Sequence, residues 1–352
     1  MGNSTRCHSI IESLSNHRFS IDVVTSGNGL EYFKNVKQID NLFKFQSLNY
    51  NKGKDGNISA LATLFSIPLH LIVLLKNVFL LNKIINKNKF SAIIIDSDYT
   101  LLLLKWKIKI PVFALNNAHI IVDECKNLSK IPKNIKAQLL IEKLDSYFHQ
   151  LIPDYVISPS IKKIENNKNI INLPPFVRNQ IQPSKIKSKK NTSGLNCLIM
   201  LSGSSFGSQT DFIKNIDNDK ISLINVIGRQ GISSKNIKFL GKIMNNYQII
   251  FEADILIINA GFSAVSEAYI RGIPSIIIPV ENHAEQFINA KIFEESNLGY
   301  SANEMNVSSK LDVLIKNFDT IKKNHMSNGI KNVGADAASL FIKRKIENFH
   351  SI

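Results

Sequence analysis

The stretch from Ala253 to Ala290, ADILIINAGFSAVSEAYIRGIPSIIIPVENHAEQFINA, constrains the fold of this chain more than any other. An apolar run, Ile255 to Ile258, ends in Asn259-Ala260-Gly261. A helix-like segment from Ser263 to Arg271 follows and is closed by Gly272. A second apolar run, Ile273 to Val280, ends in a polar cluster of Glu281, Asn282, His283, Glu285 and Gln286. Strand, tight turn, helix, strand and polar loop in that order are the repeating unit of a parallel α/β sheet. Ligands of such sheets sit at the carboxyl ends of the strands, and both polar clusters fall there.

The chemistry of the two clusters follows from residue type. Gly261 reads as a sharp backbone turn that also lets a ligand approach the main chain. Gly261, Phe262 and Ser263 head the next helix, whose first N–H groups carry partial positive charge and favour an anion such as diphosphate. Glu267, one turn on, can accept two hydrogen bonds from a vicinal diol such as a ribose. Charge-assisted bonds of that kind are worth roughly 1.5–3 kcal/mol each. Glu285 and Gln286 pair an acceptor-only group with a mixed donor and acceptor, which suits neighbouring sugar hydroxyls. The plainer alternative is local: Glu267 caps its own helix, and Glu285 and Gln286 form a solvated helix start.

This segment resembles the donor-binding half of nucleotide-sugar glycosyltransferases of the GT-B fold. It is most similar to the family 28 type, which includes the N-acetylglucosaminyltransferase of lipid II synthesis, and to the UDP-glucuronosyltransferase type. The run His283-Ala284-Glu285-Gln286-Phe287-Ile288-Asn289-Ala290 is similar to that group's H-x-[DE]-Q-x-x-N-A signature. Gly261 with Ser266-Glu267 matches its Gly followed by Ser-Glu. The resemblance implies that Glu267 holds the donor ribose and that Glu285 and Gln286 face the donor sugar. It spans most of the chain, densely from about Asn196 to Tyr300. It implies an α/β architecture of two doubly wound Rossmann-like domains facing a central cleft, with a UDP-sugar as donor substrate and no cofactor.

The rest of the chain can be set around that segment. A second alternating series begins at Leu195, and Cys197 to Leu201 leads into Ser202-Gly203-Ser204-Ser205-Phe206-Gly207. A Gly/Ser loop after a strand can cradle phosphate with backbone N–H groups, which makes Gly203 and Ser204 candidates. The loop resembles the family's Gly-Gly-Ser loop, with Ser202 at the first Gly. Phe239 to Met244 falls where the family's backbone reads the base, so Ile243 is the candidate for uracil contact. In the N-terminal half Ile21 to Val24, Ala92 to Ile95, Pro111 to Leu115 and Tyr155 to Ser158 read as strands, and Ser26-Gly27-Asn28-Gly29 as a turn. The Lys- and Ser-rich stretch from Gln180 to Gly194 reads as a linker. The expected layout is an acceptor-side domain over 1–178, a linker over 179–194, a donor domain over 195–334, and a C-terminal helix over 335–352 that crosses back to the first domain.

Inverting transfer needs a base for the acceptor hydroxyl and positive charge at the leaving diphosphate. Helix N-termini can supply that charge without a metal. Asp96-Ser97-Asp98 could bind a cation but lies in the first domain, away from the presumed donor, so no metal site is expected. In the related families a first strand leads to G-x-G-H-x-x-R, whose His is often the base. Gly2 and Arg6 match the second Gly and the Arg, but Asn3 stands at the His and the preceding strand is missing. The expectation is a start further upstream. The remaining base candidates are Asp98, which resembles the family's Ser-Asp-[Phe/Tyr] turn, His119 on the adjacent strand end, and His8 in the first helix.

Charge and apolar patterning bound the partners. With 43 Lys and Arg against 28 Asp and Glu, the net charge is +15. The cations are scattered and not interleaved with aromatics along a face, which argues against nucleic acid. Two explanations remain: an Ile-, Asn- and Lys-rich composition throughout, and attraction to anionic lipid, worth roughly 1 kcal/mol per basic residue near the surface. Cys7, Cys125 and Cys197 show neither a disulfide framework nor metal spacing and fit a reducing cytoplasm. No signal peptide is visible. Leu61 to Ile85 is long and apolar enough to raise the question of a membrane span, but Pro68, His70, Lys76, Asn77 and Asn82 interrupt it. It reads as a helix on the sheet with an apolar side dipping into an anionic membrane surface, or as a plain core helix.

The function expected is an inverting, metal-independent transferase that moves a sugar from a UDP-sugar to a glycan or lipid-linked acceptor. It is expected to be cytoplasmic and peripheral on the inner membrane face. One rival is a UDP-N-acetylglucosamine 2-epimerase of the same fold, which needs paired carboxylates and a His near the sugar. The other is a non-catalytic nucleotide-sugar-binding module, which Asn3 and the missing strand favour.

Overall fold

A computed structural model describes residues 2–47, 67–128, 131–178, 194–201, 211–214, 216, 219–243, 246–327 and 334–350. The chain forms two compact units. One comprises Met1–Ile131, Leu139–Asn179 and Asn332–Ile352, the other Pro132–Gln138 and Gln180–Lys331. The stretch read as a linker lies outside the described residues except for Gly194.

The first unit runs α1 (Gly2–Asn16), β1 (Asp22–Thr25), α2 (Asn28–Phe33), β2 (Asn41–Lys44), α3 (Ile67–Lys87) and β3 (Ile93–Ile95). Two 3-10 turns follow, Thr100–Leu103 and Lys105–Lys107, then β4 (Val112–Leu115), α4 (Ala118–Lys126), α5 (Lys133–Leu151, of which the residues up to Gln138 belong to the second unit), β5 (Tyr155–Pro159) and β6 (Ile170–Leu173). The second unit runs β7 (Leu195–Met200), α6 (Asp211–Lys214), β8 (Ile221–Ile227), β9 (Ile237–Gly241), α7 (Tyr247–Phe251) and β10 (Ile255–Asn259). It continues with α8 (Phe262–Arg271), β11 (Ser275–Ile278), α9 (Ala284–Glu295), β12 (Gly299–Ser301), α10 (Val307–Lys316) and α11 (Phe318–Ser327). The last helix, α12 (Gly334–His350), returns to the first unit.

In the second unit all six strands are parallel, in the order β12-β11-β10-β7-β8-β9. Ile255 to Ile258 of β10 and Ile276 and Ile277 of β11 are fully buried. Such near-continuous apolar strands are what a parallel sheet covered on both faces requires. Each buried Ile contributes about 1.5–3 kcal/mol relative to exposure. The strand order reverses between β7 and β10, which sets a crevice at their carboxyl ends.

In the first unit β3 to β6 form a sequential parallel sheet, while β1 and β2 form a separate parallel pair. Among the described residues no strand joins β1 to β3. Both pieces nevertheless face one core. Ile21, before β1, and Ala92 and Ile94 pack on Ile10, Leu14, Phe113, Leu115 and Ile157. Helix α12 closes that core with Ala335, Ala338, Ile342 and Ile346. Ser13 Oγ on α1 donates to Asp336 Oδ1 at 2.6 Å and meets Ser339 Oγ at 2.7 Å. The turn expected at Ser26–Gly29 opens instead into α2, with Gly27 at φ 54°.

Helix α3 corrects one sequence reading. Residues 61–66 lie outside the described residues. From Ile67 onward the helix buries Ile84 and packs Val78, Leu81 and Ile85 against Leu101, Leu104 and Ile152. Its other side is open to solvent, with Phe79 74% exposed, so it is not a plain core helix.

Candidate functional site

Helix α8 begins where β10 ends, beside the reversal point; Ile258 of β10 lies opposite Met200 of β7. The carbonyl of Gly261 accepts from Ala264 N at 3.0 Å and Val265 N at 3.1 Å. The first-turn N–H groups, at Phe262 and Ser263, have no helical carbonyl to reach. They and the helix dipole make this edge electropositive. The helix ends in Gly272, which takes the left-handed conformation at φ 65° that glycine adopts without penalty.

The turn at Gly261 does not itself require a glycine. Its φ of −63° and ψ of 134° are open to any residue. A Cβ built there meets no atom of the described residues within 4 Å. The protein's own packing therefore does not demand glycine, and the space a side chain would fill lies open at the head of α8.

The His283–Ala290 run is helical, not a polar loop. Asn282 turns the chain at φ 61°, His283 occupies the N-cap position, and Glu285 and Gln286 lie half-buried in the first turn of α9. Gln286 Oε1 accepts from Val280 N at 3.0 Å, which pins the approach to the helix and leaves its NH2 end to donate. Asn289, 2% exposed, donates through Nδ2 to the carbonyl of Ala260 at 2.9 Å. That bond ties α9 to the turn that starts α8. Among the described residues, His283 Nδ1 is buried without a hydrogen-bond partner. Burial holds its pKa below the ordinary histidine value against the opposing charge of Glu285, so the ring is neutral. A buried polar atom left unpaired is uncommon and calls for a partner.

Glu267 lies in the middle of α8 and does not cap it. It is 7% exposed, and its Oε2 accepts from Arg271 Nε at 2.7 Å. The guanidinium of Arg271 stacks over the ring of Tyr247 at 4.4 Å. The chain leaving β9 thus returns to the reversal point, where Asn246 Nδ2 meets Met200 Sδ at 2.8 Å. Half-buried Ile243 lies on this returning segment. Sequence reasoning missed Arg271 and Tyr247; the i, i+4 spacing of Glu267 and Arg271 was the available signal. Gly203 and Ser204 lie outside the described residues.

In the first unit Asp98 and His119 follow neighbouring strands, β3 and β4, at one edge of the sheet. Asp98 accepts from Thr100 N at 2.9 Å and from Thr100 Oγ1 at 3.2 Å. Burial raises its pKa despite those bonds. His119 Nε2 lies 3.3 Å from Asn172 Oδ1, and burial lowers its pKa. His8 bonds Tyr32 Oη at 2.9 Å, and burial and the charge of Arg178 lower its pKa to about 4. Arg6 clamps both oxygens of Asp96 through Nε and Nη2, and Cys7 Sγ donates to it at 3.0 Å. Asp96 is therefore held in an ion pair, while Asp98 turns to Thr100.

The family model described as Glycosyl transferase family 1 matches residues 1–318. Over 94 residues the chain is 29% identical to the UDP-N-acetylglucosamine--N-acetylmuramyl-(pentapeptide) pyrophosphoryl-undecaprenol N-acetylglucosamine transferase of Rickettsia massiliae (strain Mtu5), covering 26% of this chain and 24% of that protein. The chain thus matches about a quarter of the length of such curated relatives. A solved UDP-glucosyltransferase from Polygonum tinctorium, capable of glucosylating indoxyl, superposes with a TM-score of 0.67 at 13% identity, covering 99% of this chain and 96% of that one. LpCGTa in complex with UDP superposes with a TM-score of 0.64 at 12% identity, covering 100% and 96%.

Proposed function

The chain belongs to glycosyl transferase family 1 and has the GT-B fold, and from that premise we propose that it moves a sugar from a UDP-sugar, with inversion and without a metal, to a lipid-linked or other glycan acceptor at the inner membrane face. The observation that carries this reading is the pair of helix starts at Gly261 and His283, tied together by Asn289. The diphosphate takes the N–H groups at the head of α8, whose positive end stands in for a cation. Glu267, steadied by Arg271, accepts the ribose hydroxyls. His283, Glu285 and Gln286 meet the sugar, Ile243 the uracil, and Gly203 and Ser204 the phosphates. Asp98 or His119 takes the proton of the acceptor hydroxyl as its oxygen bonds to the anomeric carbon. The bond from that carbon to the diphosphate breaks, and UDP leaves with the electron pair. UDP bound to a fold-mate supports the donor, and the pyrophosphoryl-undecaprenol in the curated relative's name supports a lipid-linked acceptor.

Calorimetry with UDP, followed by UDP release from UDP-sugars, tests the reading. UDP is expected to bind without added metal, and release is expected to persist in EDTA. Binding only with a divalent cation overturns metal independence, and binding of no uridine nucleotide overturns the donor assignment. Gly261→Ala is a sharper probe. Thermal stability should hold or rise by about 0.5 kcal/mol, because alanine restricts the unfolded chain. UDP affinity should fall about tenfold, the equivalent of about 1.4 kcal/mol, as the new methyl group enters the open space. Equal affinity for both proteins removes the diphosphate from this helix.

A further inference from the structure

We propose that the outward side of α3, with the two 3-10 turns between β3 and β4 that end at Lys107, docks on a bilayer surface bearing anionic headgroups. The inference deepens the lipid-linked acceptor reading and rests on it, naming the surface that meets lipid. Leu69, Ile72, Leu75 and Phe79 are 62%, 50%, 58% and 74% exposed. Their spacing of three, three and four residues puts them on one stripe of the helix. The apolar stretch Leu69–Lys87 of α3 is only 11% buried. The 3-10 turn Thr100–Leu103 packs on α3. Just beyond it Trp106 is 77% exposed, with the Lys107 ammonium 4.8 Å from its ring centroid. An apolar surface of this extent on a soluble unit marks an interaction site.

Charge selects the partner. From Ile67 to Pro111 the chain has seven lysines, and its only acids are Asp96 and Asp98. Arg6 holds Asp96, Thr100 holds Asp98, and Lys105 pairs with Asp154 at 2.8 Å, so the charge this stretch itself adds to the surface is mainly positive. A second copy of this chain would set lysines against lysines. Anionic lipid adds roughly 1 kcal/mol per basic residue instead. The helix lies along the bilayer and does not cross it, because its opposite side is fastened down. Asn77, 4% exposed, accepts from Gln46 N at 2.9 Å and donates to Gln46 O at 3.0 Å. A helix with one apolar face free and the other tied to protein has the form of an interfacial anchor.

Trp106 is the only tryptophan in the chain and reports on this surface directly. Phosphatidylcholine vesicles with one-quarter phosphatidylglycerol should shift its emission to the blue and protect it from acrylamide. Sedimentation with those vesicles should weaken as salt screens the lysines. Pure phosphatidylcholine vesicles should bind about tenfold less well. The double variant Leu75→Glu/Phe79→Glu, at exposed positions, should keep its melting temperature and its UDP affinity while losing about tenfold in vesicle partition. No blue shift with either vesicle overturns the proposal. So does an unchanged partition of the double variant, or self-association that shields Trp106 without lipid. Vesicle binding with no affinity for UDP instead counts against the donor reading and leaves this surface standing.

Discussion

Glu267→Ala is expected to weaken UDP binding about 100-fold. The carboxylate is buried on α8, one turn past the amides proposed for the diphosphate, and Arg271 fixes its Oε2 at 2.7 Å. Two charge-assisted bonds to the ribose hydroxyls contribute roughly 1.5–3 kcal/mol each, of which desolvation removes part. About 3 kcal/mol of net loss is the equivalent of the 100-fold change. Truncation also strands a guanidinium that is 13% exposed, so the melting temperature should fall as well. Arg271→Gln separates the two effects. It keeps the carboxylate but removes the guanidinium that ties it to the Tyr247 ring, so KM for the donor should rise about fivefold with kcat largely retained. Calorimetric UDP affinity of Glu267→Ala within threefold of the parent protein would remove Glu267 from the site.

Asp98→Asn is expected to lower kcat by about 10²–10⁴-fold while leaving KM for the donor nearly unchanged, the scale of a lost general base. His119→Ala is the competing substitution, and only the true base should show the large loss. The pH profile carries the same information. Burial raises Asp98, so its base form is lost as pH falls through a value higher than its ordinary one. Burial lowers His119, so its neutral form survives below the ordinary histidine value. The variant that lacks the base should lose the acid limb of the kcat profile. Thr100→Val tests whether Asp98 matters only as a local brace, since it removes the 3.2 Å hydroxyl bond and keeps the carboxylate. Near-full turnover in both Asp98→Asn and His119→Ala would refute the assignment.

The donor half is legible because its strands are unbroken apolar runs with polar residues placed just past their ends. Parallel strands covered on both faces must look like this. β2, β6 and β12 escape such reading. NLFK, IINL and GYS are three or four residues long and mostly half-exposed, and pairing with a neighbour holds them rather than their own pattern. The start of α9 reads as a loop because His283, Glu285 and Gln286 are polar, while the residues that bury it, Ile288, Ile292 and Phe293, come later. Arg271 is recognisable as the partner of Glu267 only by spacing. Its stack on Tyr247, 24 positions back, is a non-local contact that no spacing rule carries. The glycine at 261 is visible in sequence, but its reason is not, since the empty volume beside it exists only in three dimensions.

The bond from Ser13 to Asp336 joins residues 323 positions apart, and α12 supplies four side chains to the core that Ile10 and Leu14 begin. On the ribosome, that core cannot close until residues beyond Gly334 have emerged. At about 5–20 residues per second, the wait after Asn179 is roughly 10–30 s. All of the second unit except Pro132–Gln138, which is already made, is synthesised in that interval, so this unit can finish folding first. A nascent chain arrested before Gly334 should therefore carry a protease-resistant rear half and a front half still dependent on chaperones.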